Sequence, residues 1–489
     1  MRFTRNRLSV PTALAAGALS VLVLGANGSN TRATLGCTGA DFAETFVNPP
    51  EVTSQGGVLD ETLDIQQTSF DIGSMPVTSY VYNGLYTPPT LRVKPGDVIN
   101  LVLKNNMTDD YTNVHMHGLN VSPLGNGDNV FVHVNPGEIY SYEVALPADH
   151  PAGLFWYHPH AHGSSQFQVY NGMSGGLIVE GLLDPFPQLA GITDRTLLLK
   201  DTYTQDDGTI PPQDGDGNLD TGHSSARTVN GLVNPTMRIQ PNELQLWRIG
   251  NIGANRYYRL VLEGHEMYEI ARDGNRHSQL IPREEILLPP SSRTEVLVRG
   301  GREGIYKLRT NYVTTGPVGD QYAEETLATL ISLGTPVAYV PLPEASQFPP
   351  VPDLREKPVA RKRIIKFQED EDGSNFRIDG KAFDMNRVDT VVRLGDLEEW
   401  TLQNWTNELH VFHIHQLDFQ VTANGDEPAP FTGYQDTVNM PLRIDENTPS
   451  EVKVLIPFTN PIILGKFVYH CHILEHEDGG MMATIVVQQ

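Results

Sequence analysis

One pattern recurs three times in this chain of 489 residues. Asn83-Gly84-Leu85 precedes TLRVKPGDVINLVLKN at 90–105, and Asn230-Gly231-Leu232 precedes TMRIQPNELQLWRIGN at 236–251. Asp379-Gly380 then precedes VVRLGDLEEWTLQN at 391–404. Each copy reads as a tight turn, a strand ending in an apolar-Arg-apolar step, a second turn and an alternating strand. The turns start 147 and then 149 residues apart, so the unit is domain-sized and built of short strands. The prediction is an all-β chain of three tandem sandwich or barrel domains. LLDPFPQLAG at 182–191 closes the first unit, and seven prolines between Pro336 and Pro358 mark a stiff linker before the third. The predicted boundaries are 37–185, 186–345 and 346–489, with 1–36 ahead of them as a leader.

That leader carries Arg2, Arg5 and Arg7, then an apolar run from Thr12 to Ala26, then small and polar residues. This is the layout of a secretory signal peptide, and the run is short for a spanning helix. The expectation is an exported protein, periplasmic or extracellular, with no membrane span in its mature form. The formal net charge of −24 opposes partnership with nucleic acid or an anionic membrane surface. Only two cysteines occur, Cys37 and Cys471, too few for a disulfide framework. Cys37 lies at the leader junction, so Cys471 needs another role.

Four short histidine clusters supply one. Two lie in the first unit, His115-Met116-His117 and His158-Pro159-His160. Two lie in the third, His410-Val411-Phe412-His413-Ile414-His415 and His470-Cys471-His472, followed by His476 and Met481. On a strand, side chains two apart share a face, so each H-x-H pair presents two imidazoles together. The middle unit has only scattered histidines, His223, His265 and His277, and reads as a spacer without metal.

Two imidazoles, a thiolate and a weak axial thioether describe a mononuclear blue-copper electron-transfer site. His410, Cys471, His476 and Met481 form that set. Cys471 points to one face of its strand while His470 and His472 point to the other. Metals on the two faces would then be joined through bonded residues, an oxidation site wired to a reduction site. Eight histidines remain: His115, His117, His158, His160, His413, His415, His470 and His472. They suit three coppers at the interface of units one and three.

These residues closely resemble the multicopper oxidase family, which includes laccases, bilirubin oxidases and bacterial copper-resistance oxidases. HCHILEHEDGGMM at 470–482 is the most specific segment and is most like bacterial and spore-coat members. The resemblance implies cupredoxin-like Greek-key domains and four copper ions. His410, Cys471, His476 and Met481 would hold the type 1 copper, and His115 and His413 the type 2 copper. His117, His158, His160, His415, His470 and His472 would hold the type 3 pair. Glu477 stands where bacterial relatives keep an acid that delivers protons, and Asp128, in the loop GNGDNV, is the candidate for a second. His133 and His162 fall outside the ligand spacing and are read as non-ligands, and Asp436 in GYQDTVNM is read as structural, with a contact to the type 1 site as the alternative.

The implied partners are a small-molecule reducing substrate and O₂. An axial Met481 predicts a modest potential and easily oxidised donors, phenols and aromatic amines, hence a laccase-like enzyme. The alternative is a metallo-oxidase that oxidises Cu(I). Such members gather methionines near the type 1 site, whereas the 11 Met here cluster only at Met481-Met482. A third class, a scaffold that kept the fold without the chemistry, would not need the complete ligand set.

Overall fold

The computed structural model describes residues 44–205, 207–211 and 224–489. The leader, Cys37 and His223 lie outside the described residues. Sheets come in successive pairs along the chain, and each sheet draws its strands from one stretch of sequence. A four-stranded and a five-stranded sheet lie within 51–179, a six-stranded and a five-stranded sheet within 193–332, and a further six and five within 361–488. The all-β expectation, three cupredoxin-like units in series, holds.

The three repeated turns have one local cause. Asn83 and Gly84, Asn230 and Gly231, and Asp379 and Gly380 all have positive φ, between 50° and 83°. This is the backbone of a two-residue hairpin turn, which Asn, Asp and Gly tolerate best. The side chain of the first residue closes each turn again. Asn83 Oδ1 accepts from Asp64 N at 2.8 Å, Asn230 Oδ1 from Leu198 N at 2.8 Å, and Asp379 Oδ1 from Lys366 N at 2.9 Å.

Topology repeats with the turns. In each unit the long first strand runs parallel to the alternating strand of the repeat: Val58–Ile72 with Val98–Lys104, Thr193–Thr204 with Leu244–Asn251, and Arg361–Gln368 with Leu397–Asn404. Alternation along Val98–Lys104, with Ile99, Leu101 and Leu103 fully buried, sends one face into the core. Each unit has its own apolar core. Among the described residues no helix is long and apolar enough to cross a membrane.

Candidate metal centres

The histidine clusters sit on paired strands and just beyond their ends. In the first unit His115–His117 pairs with Gly153–His158, setting His115 opposite His158. That second strand ends at His158, where Pro159 removes the next donor. In the third unit His410–Ile414 pairs with Gly465–Cys471, setting Phe412 opposite Cys471 and His413 opposite His470. The segment after Cys471 forms a short helix, Leu474–Asp478, capped at Gly479. Its end is folded back by Met481 N donating to His476 O at 2.8 Å, and Cys471 N donates to Met481 O at 3.0 Å.

At the first centre the Nδ1 atoms of His410 and His476 lie 3.0 Å apart, and Cys471 Sγ is 3.6 Å from each. The outer nitrogens face oxygen: His410 Nε2 is 2.8 Å from Thr406 Oγ1, and His476 Nε2 is 3.4 Å from Glu408 Oε2. Holding the outer nitrogen orients the ring and leaves the inner one free for a metal. Burial opposes a charge on His476, but Glu408 and Cys471 outweigh it and lift its pKa well above the ordinary value. Met481 is fully buried in the same core cluster as Cys471. A polar cavity of about 70 Å³ touches His476 and is lined by Asp320, Asp372, Glu408 and Glu475.

The remaining eight histidines come together across units one and three. Three groups have their ligand atoms within 4.8 Å of one another: His115, His117 and His413; His117, His158 and His472; and His160, His415 and His470. Nε2 of His470 lies 3.2 Å from that of His160 and 3.1 Å from that of His415. Rings stack across the junction, His115 on His415 and His117 on His413, both at 3.9 Å. Several outer nitrogens are fixed by carbonyl oxygens, His158 by Pro159, His413 by Asp436 and His470 by Cys471, at 2.8 to 2.9 Å.

This arrangement fits copper. His115 Nε2, His117 Nδ1, His158 Nε2, His413 Nε2 and both nitrogens of His472 are buried without a hydrogen-bond partner. Each such buried polar atom costs about 1–3 kcal/mol unless something binds it. Burial, then neighbouring imidazoles, holds His115, His413, His415 and His472 well below the usual imidazole pKa, so they are neutral and ligand-competent. Ring nitrogens near 3 Å apart also match the separation of two ligands on one metal at about 2 Å.

Two acids touch the cluster. Glu477 accepts from Ser165 Oγ at 2.9 Å, and its oxygens lie 3.4 Å from His160 Nδ1 and 3.3 Å from His470 Nδ1. Its neighbour Asp478 accepts from the backbone of Gly163 and Gln166 at 2.7 and 2.8 Å, docking this turn onto the first unit. Burial, then the Asp478 charge, pushes the Glu477 carboxyl well above the usual range. Asp128 lies 3.0 Å from His115 Nδ1 and accepts from Met116 N and Gln416 Nε2, both at 2.9 Å. Burial pushes its carboxyl up to about 7.

Sequence reasoning missed a third acid. Asp436, read as structural, reaches the histidine cluster: its Oδ1 is 3.3 Å from His117 Nε2, and its carbonyl accepts from His413 Nδ1 at 2.8 Å. Arg293 of the middle unit holds that carboxylate through two hydrogen bonds, 2.8 and 2.6 Å. Gly118, at φ +86, leaves the room, since a Cβ there would stand 2.5 Å from both Arg293 Nη2 and Asp436 Oδ2. The middle unit, expected as a spacer, thus touches the cluster's support. His133 and His162 line a small space beside His160.

Comparison with known proteins places this geometry. Models described as multicopper oxidase match residues 64–183, 193–331 and 356–489. The multicopper oxidase mco of Staphylococcus haemolyticus is 30% identical over 416 residues, 83% of each chain. The chain belongs to the multicopper oxidase family. Members are copper oxidoreductases that use O₂. Among solved multicopper oxidases, one from Campylobacter jejuni, described as a metallo-oxidase, aligns with TM-score 0.78 at 26% identity, covering 92% of this chain and 96% of its own. A laccase-like multicopper oxidase, CueO from Ochrobactrum sp., described as having oxidase activity towards lignin model compounds, aligns with TM-score 0.74 at 27% identity, covering 90% of this chain and 100% of its own. The cell division protein FtsP of Escherichia coli is also similar, 26% identical over 90% of this chain and 92% of its own.

Proposed function

We propose that this multicopper oxidase is a laccase-like enzyme with four copper ions. It takes single electrons from a small phenolic or aromatic-amine donor and reduces O₂ to water. One type 1 copper would be held by His410, Cys471, His476 and Met481, a type 2 copper by His115 and His413, and a type 3 pair by His117, His158, His160, His415, His470 and His472. When bound, copper supplies the one-electron redox steps and the site of O₂ reduction. The observation that carries the reading is Cys471, whose Sγ faces two converging imidazoles while the histidines bonded on either side belong to the second cluster. The ligand-bearing parts lie within 37–185 and 346–489, and the leader supports export to the periplasm or outside.

The protein's own groups do the rest. His476 borders the acid-lined cavity, so a donor seated there lies one imidazole from Cys471. Glu477, its carboxyl pushed well above the usual range by burial and in reach of His160 and His470, is placed to hold a proton where water is formed. Asp128 steers His115 and, with a value near neutrality, can give or take a proton there, while Gln416 Nε2 fixes it by donating a hydrogen bond. The apolar cores around both clusters exclude bulk water.

A specific observation favours a second reading. Asp320, Asp372, Glu408 and Glu475 around the cavity attract cations, which suits oxidation of Cu(I) and disfavours anionic donors. The likeness to FtsP, a cell division protein by name, raises a role in cell division, while a scaffold without the chemistry is opposed by the complete set of ten imidazoles, thiolate and thioether. O₂ uptake by copper-loaded protein with a phenol, an aromatic amine and Cu(I) separates these readings. Uptake driven by the organic donors supports the laccase-like enzyme, uptake with Cu(I) alone the metallo-oxidase, and none the scaffold.

A further inference from the structure

His160 also borders a space of about 10 Å³ between the Phe131 segment of unit one and the Met385 loop of unit three. That is room for one water-sized occupant. His133 and His162, the two histidines outside the ligand spacing, line it with two thioethers, Met385 and Met482.

The imidazoles are held in place. Tyr111 donates its hydroxyl to the His162 carbonyl at 2.7 Å, and the His162 ring packs against Phe383 at 4.7 Å. The His133 ring packs against Tyr111 at 4.3 Å. His162 Nδ1 is buried without a hydrogen-bond partner. Lys466 pins the opposite wall by donating to the Met385 carbonyl.

The donor set selects the ion. Among the described residues no carboxylate lines the space, so hard oxygen-seeking cations lack their ligands. Two imidazoles with two thioethers suit soft Cu(I). The nearby Lys466 ammonium also disfavours a doubly charged ion more than a singly charged one. The space touches His160, whose Nε2 belongs to the His160, His415 and His470 group.

We propose that His133, His162, Met385 and Met482 form a fifth, exchangeable copper site that takes Cu(I) and passes it towards His160 to fill the three-copper cluster. The destination rests on the proposed function, whereas the site rests on its own donors.

The test is anaerobic titration of the reduced, copper-loaded protein with Cu(I) against a coloured Cu(I) chelator. One further equivalent is expected in the wild type. Met385→Leu keeps the side-chain volume and His133→Gln changes an exposed side chain, so both variants should fold and keep their resident copper. Each should bind the extra equivalent at least about tenfold more weakly, the lower end of what altered metal surroundings cost. X-ray absorption of the extra equivalent should give copper–sulfur scattering that weakens in Met385→Leu. A four-copper protein that takes no further Cu(I), or takes it equally in both variants, overturns the site and leaves the proposed function standing. Cu(I) bound here in a protein whose eight-histidine cluster never takes up copper supports the site and removes its stated destination.

Discussion

Arg293 grips Asp436 with two hydrogen bonds of 2.8 and 2.6 Å, both side chains essentially excluded from solvent, and Asp436 in turn touches His117 and His413. A residue of the middle unit therefore sets the position of histidines from the two outer units. Lysine has one point charge and cannot reproduce the planar two-bond grip. Arg293→Lys should fold yet retain copper about 10- to 100-fold more weakly, as loss of a metal site's outer support does. Arg293→Ala leaves Asp436 buried and unpaired and should lose about 3–5 kcal/mol of stability. Copper retention against a chelator and thermal melts check both. Full copper retention in Arg293→Lys would contradict the positioning role.

Glu477→Gln keeps the shape and the contact with Ser165 but removes the proton. Donor-driven turnover should fall about 10²- to 10⁴-fold, the usual worth of a positioned acid, with copper content and blue colour intact. Stopped-flow reoxidation of reduced enzyme isolates the step. Unchanged reoxidation would remove Glu477 from proton delivery.

Asp418 gives a stability prediction with a definite sign. It borders a cavity of about 250 Å³ and accepts from Asn120 and Asn275, both at 2.9 Å. Burial, then the Asp436 charge, pushes its carboxyl from 3.8 up to about 7, with Arg293 pulling partly the other way. The folded state therefore binds more protons than the unfolded state between those values, so stability falls as pH rises from about 4 to about 7. Asp418→Asn should flatten part of that slope in melts across this window. A slope identical to that of the wild type would show that Asp418 ionises as freely folded as unfolded.

Met481→Leu removes the proposed axial thioether with little change in volume. The type 1 potential should rise, read by redox titration, while the blue colour persists. An unmoved potential would place Met481 outside the coordination sphere.

Much of this was legible because it is local. The hairpin turns at Asn83, Asn230 and Asp379 follow from residue types that accept positive φ, and they recur visibly. The H-x-H pairs were legible because strand alternation puts both imidazoles on one face. What sequence could not supply was long-range: Asp436 meets His117 across 319 residues and Arg293 across 143. Nothing local in GYQDTVNM or SSRTEV marks that meeting. The helix at Leu474–Asp478 was also hidden, since the Gly479-Gly480 pair reads as a turn and only the return of Met481 to His476 closes it. His133 and His162 were set aside by spacing, and only packing brings them near Met385 and Met482.

The central claim is that Cys471 binds a copper wired to a three-copper cluster. Copper content and visible absorption of wild type beside Cys471→Ser test it most directly. The account predicts about four coppers and an intense blue thiolate band in the wild type, against about three coppers and no blue band in the variant. A wild type that stays colourless when copper-loaded, or a variant that keeps its blue band, would contradict it.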